Sequence, residues 1–258
     1  MLLVQPVRLA DGVDAWFTGR DRSRPDPPVG SAGNLSHHRP HLPSELAQDR
    51  RDACAQMGLT PDRLHLMRQV HGASVGVVDA TSPPGAELRG VDAIVTREPD
   101  RALAVQVADC VPVLLSAGWV VGAVHAGRRG LAAGVVGAAV EAVAARADGE
   151  QVRAAIGPAI GGCCYEVPEA LRDGFGTHHP QAVGRTTWGT PSLDLTAAVE
   201  HDLAEAEAVV VARVEGCPRC DPDRRWFSHR ADPAAGRQLG VVVRRGARGD
   251  ASDREVAA

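Results

Sequence analysis

The sequence predicts an α/β (α+β) fold: a single domain of layered, mixed β-sheets flanked by helices. Three observations carry this. Apolar runs of strand length recur along the chain and interleave with a few helical stretches, without the strict strand–helix alternation of a parallel sheet. At 258 residues the chain can bury a sizeable core. No internal repeat and no step in composition marks a boundary, so one domain is expected over residues 1–245, followed by a polar tail at 246–258.

Taken in order, residues 3–9 and 14–18 read as strands. Residues 20–33, rich in Pro, Gly, Ser and Asp, read as a mobile loop. Residues 44–57 have helical character, with Ser44 as N-cap and Gly58 as stop. Residues 64–67 and 74–78 are short strands around a turn at His71, and Ser82-Pro83-Pro84-Gly85 is a further turn. Residues 102–107 form an apolar strand. Residues 111–116 and 119–124, joined by a turn at Ala117-Gly118, read as a hairpin. Residues 130–147, small and apolar, read as one buried helix. A strand at 152–156 ends in Gly157-Pro158, a helix runs over 196–207, and strands at 208–214 and 238–244 complete the domain.

Composition narrows the function classes. Hydrophobic content is 44% and charged content 23%, as in ordinary globular proteins. The net charge of −4 provides no basic field to attract nucleic acid. Aromatic residues make up only 3%, which argues against a stacking platform for single strands. All 28 basic residues are Arg, so Schiff-base and P-loop lysine chemistry is excluded. No apolar run reaches the roughly 20 residues that a membrane span needs. The start, Met1-Leu2-Leu3-Val4-Gln5-Pro6, lacks a basic segment, a long apolar segment and a cleavage site, so a cytoplasmic enzyme is expected. Six cysteines in such a chain read as thiols or ligands, not as a disulfide framework.

Chemistry concentrates at three turn-rich points: Gln69-Val70-His71-Gly72, Ala108-Asp109-Cys110-Val111-Pro112, and Val124-His125-Ala126-Gly127-Arg128-Arg129-Gly130. His71, Cys110 and His125 make a His₂Cys set that can hold zinc and leave a fourth position for water or substrate. Their wide spacing is not that of a zinc finger. The same side chains could instead provide a thiolate nucleophile and its base. Asp109, beside Cys110, could orient a ligand or shuttle a proton. Arg128 and Arg129, at the expected helix start, suit a phosphate or another oxyanion. The glycine-rich 157–167 stretch matches neither a dinucleotide fingerprint nor a Walker loop. Within it, Cys163-Cys164 read as buried thiols in a tight turn, with Tyr165 supplying a hydroxyl. Cys217-Pro218-Arg219-Cys220 is a CxxC, a weak zinc signal alone and a strong one only with a second pair. His37-His38 and His178-His179 read as solvated.

QVHG, ADCVPVLL, GAVHAGRRG, IGPAIGGCCYEV and WFSHRADPAAGR occur in this order, and the sequence from about residue 16 to 243 thereby resembles the YfiH/YlmD family, also called the laccase-domain or polyphenol oxidoreductase family. The resemblance implies a single α/β domain with central β-layers, similar to cytotoxic necrotizing factor-type cysteine hydrolases. It assigns zinc to His71, Cys110 and His125. It implies purine nucleoside phosphorylase activity on adenosine, inosine or methylthioadenosine with phosphate, together with adenosine deamination, in which hydroxide from an activated water attacks purine C6. It also suggests, as alternatives, copper-dependent phenol oxidation or Cys110-dependent hydrolysis in peptidoglycan-precursor editing. A multicopper oxidase fits the chain poorly, since it has 10 His and no H-x-H pair. Asn34, Gln69, Arg129 and Arg230 are the substrate-binding candidates. The expected partners are small-molecule nucleosides and phosphate, with no nucleic acid and no membrane, and the chain is expected to be a monomer or weak homo-oligomer. Three departures stand out. Arg128 replaces the family's Trp, Ser36-His37-His38-Arg39-Pro40 replaces an N-terminal Gly-Asp-Asp-type stretch, and His229-Arg230-Ala231 keeps one Arg where two are usual.

Overall fold

The computed structural model describes residues 1–246; apart from Gly246, the expected polar tail lies outside the described residues. One six-stranded sheet contains, in spatial order, β1 (Leu2–Ala10), β2 (Val13–Asp21), β14 (Gln238–Arg244), β7 (Ala102–Val107), β3 (Leu64–Arg68) and β5 (Glu87–Arg89). The second contains β13 (Val209–Arg213), β10 (Arg153–Ile156), β8 (Val111–Ala117), β9 (Val120–Ala126), β6 (Ala93–Thr96) and β4 (Val75–Val77). A small hairpin pairs β11 (Val183–Arg185) with β12 (Pro191–Leu193). Both large sheets are mixed: β3 runs parallel to β5 and β7, β4 to β6, and β10 to β13, while their other pairs are antiparallel.

The layers run helix, sheet, sheet, helix. Helix α1 (Pro43–Gln56) packs Ala53 and Cys54 on Leu64, Ala102 and Val241 of the first sheet. Phe17, Leu103 and Val105 of that sheet face Ile94, Leu114 and Val121 of the second. On the far side, α3 (Val135–Ala144) and α5 (Leu195–Glu205) cover Val113, Leu115 and Val124. Every residue of β7, β8 and β9 is buried. Successive side chains enter different cores, Leu114 between the sheets and Val113 and Leu115 under the helices. These strands therefore read as near-continuous apolar runs, each with a single polar residue (Gln106, Ser116, His125), without polar alternation. Each such buried Leu or Val contributes about 1.5–3 kcal/mol. The sheets approach closely where a Cβ added to Gly157 would lie 2.3 Å from the Phe17 ring, so only glycine fits there.

Several boundaries differ from the sequence reading. The long helix is two: α2 (Arg128–Ala132) and α3, separated at Gly134, whose φ of +81° leaves the right-handed helix. The first helix is entered at Leu42, with Pro43 in its first turn, so Ser44 is not the cap. The expected mobile loop is tied down by Arg24, which pairs with Asp21, Glu45 and Asp49. His179 is buried, bonds Asp202 and stacks on Phe175, unlike its exposed neighbour His178. Strands β5 and β6 and helix α4 (Glu169–Gly176) were not anticipated, since each is too short to show a period.

The route between sheets positions the site. Three connections cross from the first sheet to the second at one end of the sandwich: 69–74 from β3 to β4, 90–92 from β5 to β6, and 108–110 from β7 to β8. β9 then returns along β8, with Ala126 opposite Val111 and His125 opposite Pro112, so its end arrives at the same place. The antiparallel pairing of β10 with β8 and of β14 with β7 brings the loop after β10 and the loop before β14 there too.

Candidate active site

His71, Cys110 and His125 meet at this end. Their candidate ligand atoms lie within 4.8 Å of one another. Cys110 Sγ is 4.0 Å from His71 Nε2, and the two imidazoles stand edge to face with centroids 4.8 Å apart. His71 holds a positive φ of 61° and Asp109 one of 85°, both uncommon for residues with a side chain. A Cβ on Gly127 would touch Cys110 Sγ and His71 Cδ2 at 3.0 Å each, so the glycine leaves the space over the trio open.

Asp92 organises this centre and was missed in the sequence. It is fully buried. Its Oδ1 accepts from His125 Nδ1 (2.8 Å) and from the His71 amide (2.9 Å); Oδ2 accepts from the amides of Val70 (3.1 Å) and Gly72 (2.7 Å). One carboxylate thus orients one imidazole and shapes the turn that carries the other. The only sequence signal was an acid directly before a short apolar strand. Burial alone would raise the Asp92 carboxyl, but His125 and these amides hold it below the usual range. Burial likewise pushes the Cys110 thiol up, but His125 and His71 outweigh it and bring it down to about 6. Burial opposes charge on His125, while Cys110 and Asp92 favour it and raise it to about 9.

The trio opens into a cavity of about 490 Å³. Six arginines line it, Arg39, Arg68, Arg128, Arg129, Arg230 and Arg237, and Asp109 is the only acidic lining residue among the described residues. Arg128 and Arg129 form the first turn of the five-residue α2, so the cation-rich wall comes from their side chains and not from a long helix dipole. Arg128 lies beside the Tyr165 hydroxyl, and the Arg230 guanidinium sits 4.9 Å over the Tyr165 ring.

The remaining candidates divide between lining and support. Asp109 Oδ2 accepts from the Arg230 amide (2.6 Å), its carbonyl accepts from Ile160 (2.9 Å), and its buried Oδ1 has no partner among the described residues. Burial raises its carboxyl. Gln69 lines the cavity, but its amide is occupied by both main-chain groups of Gln106 (2.8 and 2.9 Å). It thereby continues the pairing where β3 and β7 diverge. Asn34 is buried outside the lining; it accepts from the amides of Ser36 and Arg237 and so anchors two lining segments.

Residues 14–245 match the family model described as multi-copper polyphenol oxidoreductase laccase. The chain belongs to this family. It is similar to purine nucleoside phosphorylase ORF3 of Streptomyces griseus, 44% identical over 78% of this chain and 82% of that one. A more distant relative is adenosine deaminase RL5 from an unknown prokaryotic organism, 31% identical over 74% of this chain and 78% of that one. Among solved structures it resembles YlmD from Geobacillus stearothermophilus, with a TM-score of 0.79 and 30% identity over 92% and 93% of the two chains. The layered fold is thus the YfiH/YlmD fold, and the chain is an enzyme.

A family metal fits His71, Cys110 and His125. The set converges, His125 is oriented through Nδ1 by a carboxylate as metal-bound imidazoles usually are, and Gly127 leaves the space clear. Several coppers do not fit: among the described residues, the other His-containing group is His37, His38 and Glu87 at the surface. No helix among the described residues is long and apolar enough to cross a membrane.

Proposed function

We propose that this protein is a purine nucleoside phosphorylase that holds zinc on His71, Cys110 and His125, with adenosine deamination as a second activity of the same pocket. The carrying observation is one cavity that combines a converging His₂Cys set with a six-arginine wall. The phosphorylase and deaminase names of relatives at 44% and 31% identity support the reading.

Phosphorolysis needs a phosphate held against the ribose anomeric carbon. The guanidinium groups match a tetrahedral dianion in charge and in fork geometry. A phosphate oxygen attacks the anomeric carbon as its bond to the purine nitrogen breaks, and the electron pair leaves with the base. Fixed cations around the nucleophile lower the cost of bringing it to the sugar. The departing purine takes up a proton, and Asp109, whose carboxyl burial raises and whose buried Oδ1 has no partner among the described residues, is assigned as its donor. When bound, zinc supplies Lewis-acid polarisation of a substrate heteroatom. In deamination, water replaces phosphate, adds at purine C6 and expels ammonia.

A second reading has its own observation. Cys110 held down to about 6 beside His125 held up to about 9 is a thiolate–imidazolium pair, as in cysteine hydrolases. The test separates them. Zinc-loaded protein is given adenosine with and without phosphate, and products are followed by mass-resolved chromatography. Adenine and ribose 1-phosphate, formed only with phosphate and not by Cys110→Ala, are expected. Phosphate-independent inosine would instead make deamination the main activity. No turnover of adenosine, inosine or methylthioadenosine would overturn the nucleoside reading. Chelator-resistant, Cys110-dependent hydrolysis of a cell-wall precursor would establish the second.

A further inference from the structure

Four of the five cysteines that the active site leaves unused come together elsewhere. Cys163-Cys164 and Cys217-x-x-Cys220 are far apart in sequence, yet their sulfurs all lie within 4.8 Å of one another. The topology explains the meeting. β10 and β13 are parallel neighbours, and Val214 N–H still donates to the Ile156 carbonyl (2.9 Å) where both strands end. The loops that follow, 157–165 and 214–221, therefore emerge side by side. The CxxC that is weak in isolation acquires the second pair that makes a zinc signal strong.

We propose that Cys163, Cys164, Cys217 and Cys220 form a second, closed metal centre: a tetrathiolate zinc site that pins the 157–165 loop to the 214–221 loop. Sulfurs around a tetrahedral zinc with bonds of about 2.3 Å are separated by about 3.8 Å. Cys163 Sγ and Cys220 Sγ are 3.8 Å apart. That spacing is far outside the roughly 2.05 Å of a disulfide, and all four are free thiols. The CxxC turn is closed by the Cys220 and Asp221 amides donating to the Cys217 carbonyl (3.2 and 2.9 Å). The Gly161 amide donates to Cys217 Sγ at 3.4 Å. An amide directed at this sulfur suits a thiolate, because a neutral thiol is a weak acceptor.

Four protein ligands leave no open position, so this site is structural and not catalytic. On binding, four S–H bonds are exchanged for four Zn–S bonds and the protons pass to solvent; nothing is oxidised or reduced. The clamp bears on the active cavity. Ile160 and Tyr165 of the first loop line it, and Arg219 of the second donates to the carbonyl of Arg230 (3.1 Å).

The test reads metal and not turnover. Full-length protein from zinc-supplemented medium is assayed by mass spectrometry of its metal content, as wild type, His71→Ala and Cys217→Ser/Cys220→Ser. His71 is exposed, so its variant keeps the fold while weakening the active-site set. The double serine variant is expected to hold one equivalent of zinc less than wild type. Should that variant fail to fold, cobalt titration of metal-stripped His71→Ala decides. An intense thiolate-to-cobalt charge-transfer band in the near ultraviolet, lost on adding Cys163→Ser, supports the site. Absence of that band, equal zinc in wild type and the double variant, or an intact mass showing these cysteines oxidised to disulfides would each overturn it.

Discussion

Replacing Asp92 by Asn removes a charge and one acceptor while leaving shape almost unchanged. Four donors meet this fully buried carboxylate, two on each oxygen: His125 Nδ1 and the His71 amide on one, the Val70 and Gly72 amides on the other. A carboxamide has a single oxygen. Whichever way it is flipped, two donors face an NH₂ group. Each unsatisfied donor costs about 1–3 kcal/mol, so the loss should be about 2–6 kcal/mol. With a urea m-value of about 3 kcal/mol/M, the midpoint falls by about 0.7–2 M. The assay is urea unfolding with chelator present, so that metal binding does not mask the difference. Because His125 also loses its orienting carboxylate, zinc affinity, measured against a chromophoric chelator, should fall about 10–100-fold. The wild-type advantage should fade in acid. A carboxylate with a depressed folded pKa stabilises above its unfolded value near 3.9, and that contribution is lost as pH falls through the folded pKa. A midpoint shift equivalent to less than about 1 kcal/mol, with zinc affinity unchanged, would refute the assigned role of Asp92.

Three further outcomes are expected. In metal-stripped protein, Cys110 should be alkylated by iodoacetamide with half-maximal rate near pH 6, because its folded pKa is lowered to about 6 and thiolate persists down to there. Peptide mass spectrometry isolates this cysteine, and a midpoint near the ordinary 8.5 would contradict the thiolate–imidazolium pair. Gly127→Ala, at an ordinary φ of −86°, should keep the fold yet lower zinc affinity about tenfold, since its Cβ presses on Cys110 and His71; unchanged binding argues that this metal sits elsewhere. Arg129→Ala, an exposed change, should raise the KM for phosphate about 10-fold or more through loss of a charged contact while barely moving that for nucleoside. Equal effects on both would remove Arg129 from the phosphate subsite.

Much of the fold was legible because burial leaves local marks. The runs over β7, β8 and β9 are apolar except for Gln106, Ser116 and His125, and Gly118 marks the hairpin turn with a φ of +50°. His71, Cys110 and His125 were visible as reactive residues at strand ends beside small residues. Asp92 was not, because its importance lies in four donors that arrive from segments 70–72 and 125. The break at Gly134 was hidden by an unbroken apolar helical composition on both sides.

The sequence by itself determined which stretches bury themselves and which residue types are available for chemistry: arginine as the sole strong cation, two histidines and a cysteine in turns, and two cysteine pairs. Only the tertiary structure decided their company. Three crossings between the sheets at one end gather 71, 92 and 110, β9 returns 125 to them, and parallel β10 and β13 bring the cysteine pairs together. Periodicity is a local property fixed by backbone geometry. Convergence depends on which strand pairs with which, and that follows from the packing of the whole chain.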